Sequence, residues 1–200
     1  MQGTGTFSIA TTHTQARHVL PTPIAKLRKN FPQVSISLHQ GTPDQVAHMV
    51  LEDIAELGIA TESLGNYANL VTLPCYHWHH VLIVPKGHAL TQLKKPISLK
   101  QLGSYPLITY HPTFTGRTRI DQAFARADIK PHIVLEAIDS DVIKTYVRSG
   151  LGLGIITEVA AGPDLKPDLI ALPAAHLFGA NTTYIAFKRG TYLRQFVYSF

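Results

Sequence analysis

Three short clusters, Thr11-Thr12-His13-Thr14-Gln15-Ala16-Arg17, Ala60-Thr61-Glu62-Ser63 and Phe114-Thr115-Gly116-Arg117, concentrate hydroxyl and amide donors. Each follows an apolar run that reads as a strand, and the first and third precede apolar residues at helical spacing. Their donors therefore stand at the carboxyl ends of strands and the amino ends of helices. There the unpaired backbone N–H groups and the helix dipole favour an anion. Ligands of open α/β sheets sit at this same edge. Neutral donors suit a fully ionised oxyanion, because they hydrogen-bond its oxygens without adding a counter-charge. The competing reading is structural: Thr12, Thr14 or Thr115 as an N-cap contributes about 1 kcal/mol to a helix. Three clusters at corresponding sheet edges point instead to a small, oxygen-rich anion.

Other chemistries find weaker support. Cys75-Tyr76-His77-Trp78-His79-His80 looks like a metal tract, since residues 75, 77 and 79 of a strand share a face. Three neighbours on one strand rarely close a tetrahedron without a distant fourth ligand, so packing histidines are the expectation and no metal site is assigned. Cys75, the sole cysteine, reads as a buried small hydrophobe. Gly150-Leu151-Gly152-Leu153-Gly154 follows a helix and enters a strand, the reverse of a phosphate loop, and reads as a C-cap and a tightly packed strand. No nucleophile elbow occurs, and no catalytic residues are assigned. A transferase or lyase would need an acid–base pair that the sequence does not offer.

The elements that position the clusters follow from apolar spacing. Phe7 to Ala10 reads as a strand, and Leu20, Ile24, Leu27 and Phe31 mark a helix from Pro21 to before Pro32. Val34, Ile36 and Leu38 alternate as a second strand. Thr42-Pro43 then starts a helix that buries Val46, Met49 and Val50. Ile54 to Ala60 is a third strand, and the β-α-β-α-β order implies parallel pairing. Leu70 to Val84 is extended, interrupted near Pro74, and long enough to run from one lobe to another. A second alternating unit follows, with strands at Leu107–Tyr110, Ile133–Ile138 and Leu153–Ile156. Its helices are marked by Ile120, Ala123, Phe124 and Ala127, and by Val142, Ile143, Tyr146 and Val147 after a cap at Asp139 or Ser140. Thr182–Phe187 reads as a strand and Thr191–Phe200 as a helix. If these last two return to the first lobe, the lobes are residues 1–75 plus 180–200 and residues 76–179, with a ligand cleft between them.

Length and composition agree with such an α/β protein. The chain has 200 residues, 45% of them hydrophobic and only 16% charged, which suffices for one large or two small cores and argues against disorder. No apolar run approaches the ~20 residues that span a bilayer, no secretion signal is evident, and a lone cysteine fits a reducing cytoplasm. The formal charge of +5 comes from scattered basic residues, Arg117 among them, which read mostly as solvated surface. No DNA-reading motif is present.

At these same residues the sequence resembles the effector-binding part of LysR-type transcriptional regulators, of the CysB/Cbl type that controls sulfur assimilation and cysteine biosynthesis. The likeness rests on the first and third clusters, on Leu73-Pro74-Cys75-Tyr76-His77-Trp78, and on Asp141-Val142-Ile143-Lys144-Thr145-Tyr146-Val147-Arg148. It covers essentially the whole chain. The resemblance implies two Rossmann-like lobes of the type II periplasmic-binding-protein-like fold, with sulfate or an N- or O-acetylserine-like inducer in the cleft and no other cofactor. It implies Thr12, Thr14, Gln15, Thr61, Trp78 and Thr115 as effector contacts, with the choice between Thr113 and Thr115 open. It further implies homodimers, and homotetramers of the full-length protein, with promoter DNA bound through a winged helix-turn-helix that this segment lacks. The alternative is a free-standing periplasmic anion carrier, which shares fold and ligand chemistry.

Overall fold

The structure, a computed structural model, describes residues 4–200, apart from the side chains of Glu62 and Thr115. The chain forms two units: residues up to Tyr76 together with Thr182–Phe200, and His77–Asn181. Among the described residues, no helix is long and apolar enough to cross a membrane.

In the first unit, β1 (Gly5–Thr11) lies between β2 (Val34–Gln40) and β3 (Leu57–Thr61), parallel to both. β9 (Ala180–Lys188) pairs with β3 antiparallel. Alternation along the strands divides the core. Phe7, Ile9, Leu57 and Ile59 pack with Leu20 and with Leu27 of α1 (Pro21–Asn30), while Ala10 and Ala60 pack with Val46, Ala47 and Val50 of α2 (Pro43–Leu51). Helix α2 starts as its sequence dictates. The Thr42 hydroxyl accepts from the Gln45 backbone N–H, the Gln45 side chain returns the bond, and Pro43 occupies the first turn.

The third strand is shorter than the apolar run. Asp53 adopts a positive φ of 61°, and the Ile54 and Ala55 N–H groups fold back on the Met49 carbonyl, so the run opens in a turn and Ile54 is exposed. The expected C-terminal helix also shrinks, to α7 (Gln195–Tyr198). Arg194 holds the preceding segment extended through bonds to Glu56 and the Thr6 carbonyl, with its guanidinium over Phe196.

The second unit is entered by β4 (Leu70–Pro85), which runs through Pro74 without the expected interruption. It pairs antiparallel with β7 (Leu153–Thr157) and with β8 (Leu169–Pro173), a strand the sequence did not announce. Short α3 (Leu99–Leu102) leads to β5 (Pro106–Tyr110), which is parallel to β7 and to β6 (His132–Ala137). One face packs Ile120 and Phe124 of α4 (Thr115–Arg126) and Phe178 of α6 (Ala175–Phe178). The other packs Ile143 and Val147 of α5 (Ser140–Arg148). Asp139 caps α5 by accepting from the Val142 N–H. Gly150, at φ 83°, closes it with the paired bonds Gly150 N–H to Val147 and Leu151 N–H to Tyr146, the Schellman pattern that favours glycine.

Candidate functional site

Parallel pairing sets the edge in the first unit. Thr11 lies opposite Ile59, and its hydroxyl donates to the Ile59 carbonyl at 3.1 Å, so the segments after β1 and at the end of β3 leave from one sheet edge. Thr12, Gln15 and Thr61 are buried there and Thr14 is half-buried. Thr14 begins a single π-helical turn, Gln15–Val19, yet lies in helical conformation with no side-chain capping bond. Thr61 likewise makes no side-chain cap on the 3₁₀ turn Glu62–Asn66. Capping therefore does not account for either hydroxyl.

A polar row connects these positions. The Tyr76 hydroxyl donates to Gln15 Oε1 at 2.5 Å. Thr183 sits opposite Thr61 in the β3–β9 ladder. Burial pushes the Tyr76 phenol up, the neighbouring Thr183 hydroxyl and the Gln15 bond pull it down, and Cys75 adds a small upward effect. With its carbonyl oxygen engaged, Gln15 presents its amide N–H pair as donors.

In the second unit the corresponding place is the start of α4. Phe114, not Thr115, is the N-cap, in extended conformation and without a side-chain cap bond, and Thr115 is the first helical residue. The Thr115 side chain lies outside the described residues. Thr113 is exposed and its hydroxyl meets His111 Nδ1 at 3.2 Å. A Cβ placed on Gly116 would lie 3.0 Å from Trp78 Cη2 and 3.1 Å from His80 Nε2, so both rings rest directly on the first turn. Trp78 is buried and its Nε1 has no hydrogen-bond partner among the described residues. His80 is wholly buried between Trp78 and Phe178, with centroids 4.9 and 5.5 Å away, and neither ring nitrogen has a partner. Burial, assisted by the charges of Arg119 and His79, pushes its imidazole down to about 3, so it is neutral.

Other polar groups of this unit are committed internally. Arg117, expected on the surface, is buried. It donates to Asp121 Oδ1 at 2.8 Å and the Tyr110 carbonyl at 3.0 Å, and pairs with Glu136 at 3.1 Å. Burial lowers its affinity for the proton, but the Asp121 and Glu136 partners more than restore it. The Tyr110 hydroxyl meets Ser140 Oγ at 2.6 Å and accepts from the Thr157 N–H at 2.9 Å, with burial pushing the phenol up to about 12. Lys144, buried in α5, binds Asp164 at 2.9 Å.

Of the six residues singled out by sequence, Thr12, Thr14, Gln15 and Thr61 meet at the edge of the first unit, while Trp78 and the Thr115 backbone meet in the second. Tyr76, His80 and Asn181, the last buried with both amide atoms unpartnered, were not foreseen. The signal for two of them was present. Residues 75, 77 and 79 form the outward face of β4, leaving Cys75 exposed rather than buried, whereas 76, 78 and 80 alternate inward. His79 itself bonds Glu158 through its backbone and faces the Gly179 carbonyl at 3.4 Å.

Comparison with known proteins places this arrangement. The family model for the LysR substrate binding domain matches residues 2–200. The chain is 52% identical over 198 residues to the HTH-type transcriptional regulator CysB of Burkholderia cenocepacia, covering 99% of this chain and 63% of that protein. It is 48% identical over 196 residues to the HTH-type transcriptional regulator cbl of Escherichia coli, covering 98% and 62%. The crystal structure of the cofactor-binding domain of the Cbl transcriptional regulator superposes with a TM-score of 0.93 at 48% identity, over 98% of this chain and 85% of that one. The chain thus spans less than two thirds of the curated relatives it matches. The α/β architecture is the type II periplasmic-binding-like fold of LysR effector domains.

Proposed function

We propose that this chain, which belongs to the LysR substrate-binding-domain family, is the effector-sensing part of a transcriptional regulator of sulfur assimilation and cysteine biosynthesis. Its effector is sulfate or an acetylserine-type molecule. Thr12, Thr14, Gln15 and Thr61 hold it from the first unit and Trp78 and Thr115 from the second. The observation that carries this reading is the pair of neutral donors that follows β1: Thr14 without a cap bond, and a Gln15 amide whose carbonyl is already taken by Tyr76. Such groups bond each oxygen of a dianion at no cost in counter-charge. Similarity to CysB and Cbl regulators supports the sulfur context. The intact regulator is a cytoplasmic homodimer or homotetramer that reaches promoter DNA through an N-terminal winged helix-turn-helix.

A thermal-shift panel of sulfate, thiosulfate, phosphate, N- and O-acetylserine and chloride tests the effector. A ligand at 100 times its Kd stabilises the fold by about 2.7 kcal/mol, which is about 5–11 °C in a chain of this size. Flat responses to all of them would defeat the proposal.

A further inference from the structure

His80 is a buried polar group that the effector reading leaves unexplained. It is wholly buried on β4, both ring nitrogens lack partners among the described residues, and Nε2 is aimed at Gly116 in the first turn of α4. An interior imidazole with neither nitrogen bonded is costly, and packing alone would be better served by a phenyl ring of similar shape. The Trp78 ring rests on the same glycine and offers a second unpartnered donor, Nε1. An orphaned imidazole nitrogen thus faces the amino end of a twelve-residue helix, where backbone N–H groups attract an anionic group.

We propose that His80 is a specificity-determining residue at this helix start: its imidazole exchanges two hydrogen bonds with a carboxylate ligand that also carries an N–H or O–H. The proposal rests on the effector reading and narrows its ligand class. A neutral imidazole carries one N–H donor and one lone-pair acceptor, whereas an indole only donates. Sulfate, fully ionised, can satisfy the donors of Trp78 and His80 but turns only oxygens toward the imidazole lone pair. An acylated serine offers carboxylate oxygens to the donors and an amide N–H or hydroxyl to the acceptor. The site therefore prefers the proton-bearing carboxylate, by the logic in which a buried hydrogen-bonding group rejects a ligand that leaves it unpaired.

Isothermal calorimetry of N-acetylserine and of sulfate, on the wild-type chain, His80→Phe and His80→Gln, tests this. His80→Phe removes donor and acceptor together, so N-acetylserine loses two bonds and sulfate one, and N-acetylserine should weaken about tenfold more than sulfate does. His80→Gln, which keeps one donor and one acceptor, should recover most of the N-acetylserine affinity, and N-acetylserine should shift Trp78 emission in the wild type. Equal changes for both ligands in His80→Phe, or no change for either, would overturn the assignment and leave the effector reading standing. Failure of both ligands to bind the wild type would bring down the effector reading, and this inference with it. Should His80→Phe fail to fold, the same ratio of affinities in His80→Gln decides the matter, a loss of preference for N-acetylserine without rescue counting against it.

Discussion

The two units contain almost the same strand, Leu57-Gly58-Ile59-Ala60-Thr61 in β3 and Leu153-Gly154-Ile155-Ile156-Thr157 in β7. In both, the glycine lies under a helix. A Cβ on Gly58 would approach Val46 and Val50 of α2 to 2.9 Å, and one on Gly154 would approach Val147 and Ile143 of α5 to 2.9 and 3.0 Å. The strands differ at their final threonine. The Thr157 hydroxyl accepts from the Val159 N–H and its own N–H donates to Tyr110, whereas Thr61 caps nothing. The second unit commits its edge polar groups to internal bonds through Tyr110, Ser140 and Arg117, whereas in the first Thr14 enters its helical turn without a capping bond. One scaffold thus supports two arrangements of the same polar chemistry, with the closing threonine of β7 built into a network of turn and side-chain bonds and that of β3 left outside any cap.

Acid gives the largest expected effect, and it isolates the exception within the second unit. His80 titrates at about 3 when folded and near 6.5 when unfolded. The unfolded chain therefore takes up the proton first. Its contribution is complete above about pH 6.5 and is lost by about 1.4 kcal/mol per pH unit as pH falls toward the folded value, of order 5 kcal/mol in total. Urea unfolding of wild type and His80→Phe at pH 7 and pH 4 should show the variant losing much less; parallel pH profiles would remove His80 from the account.

Tyr110→Phe strikes the internally bonded edge and leaves the Thr157 N–H and Ser140 hydroxyl without their partner. It should cost about 2–3 kcal/mol by urea melts, with sulfate binding by the folded protein unchanged. Gly58→Ala and Gly154→Ala probe the shared scaffold, and each should cost about 1–3 kcal/mol through overpacking. A difference beyond that range between the two would break the equivalence drawn above. Thr14→Val sits at the other extreme. Its stability should move by no more than about 0.5 kcal/mol while the sulfate-induced thermal shift disappears. A substantial loss of stability instead would mean that the first unit also uses its hydroxyls for structure.

Local rules made much of this legible. Helix α2 announced its start through Thr42 and Pro43, and α5 its ends through Asp139 and Gly150, because those bonds are made between residues near in sequence. The α/β alternation followed from periodicity, and the family from the resemblance carried by the clustered motifs. What escaped depended on distant partners. Arg117 reads as a surface charge until Glu136 is brought beside it, and the C-terminal helix reads as longer until Arg194 is held by Glu56 and Thr6. The Cys75–His80 tract attracted attention for the wrong face. Strand alternation was visible, but which parity turned inward was set by the sheet neighbours of β4.

The glycine at position 58 has a mechanical consequence as well. Because nothing separates the strand backbone from Val46 and Val50, α2 rides on β3 at a fixed height, with no compressible layer between them. Its leading end is tethered too, for the Gly41 N–H just before the helix bonds the Thr11 carbonyl at 3.1 Å. A side chain added at Gly58 lifts the helix like a wedge under a lever, and the far end of that lever is tied to the peptide that leads into Thr12. The placement of the donor edge is therefore adjustable from a buried residue that lies more than forty positions away in sequence.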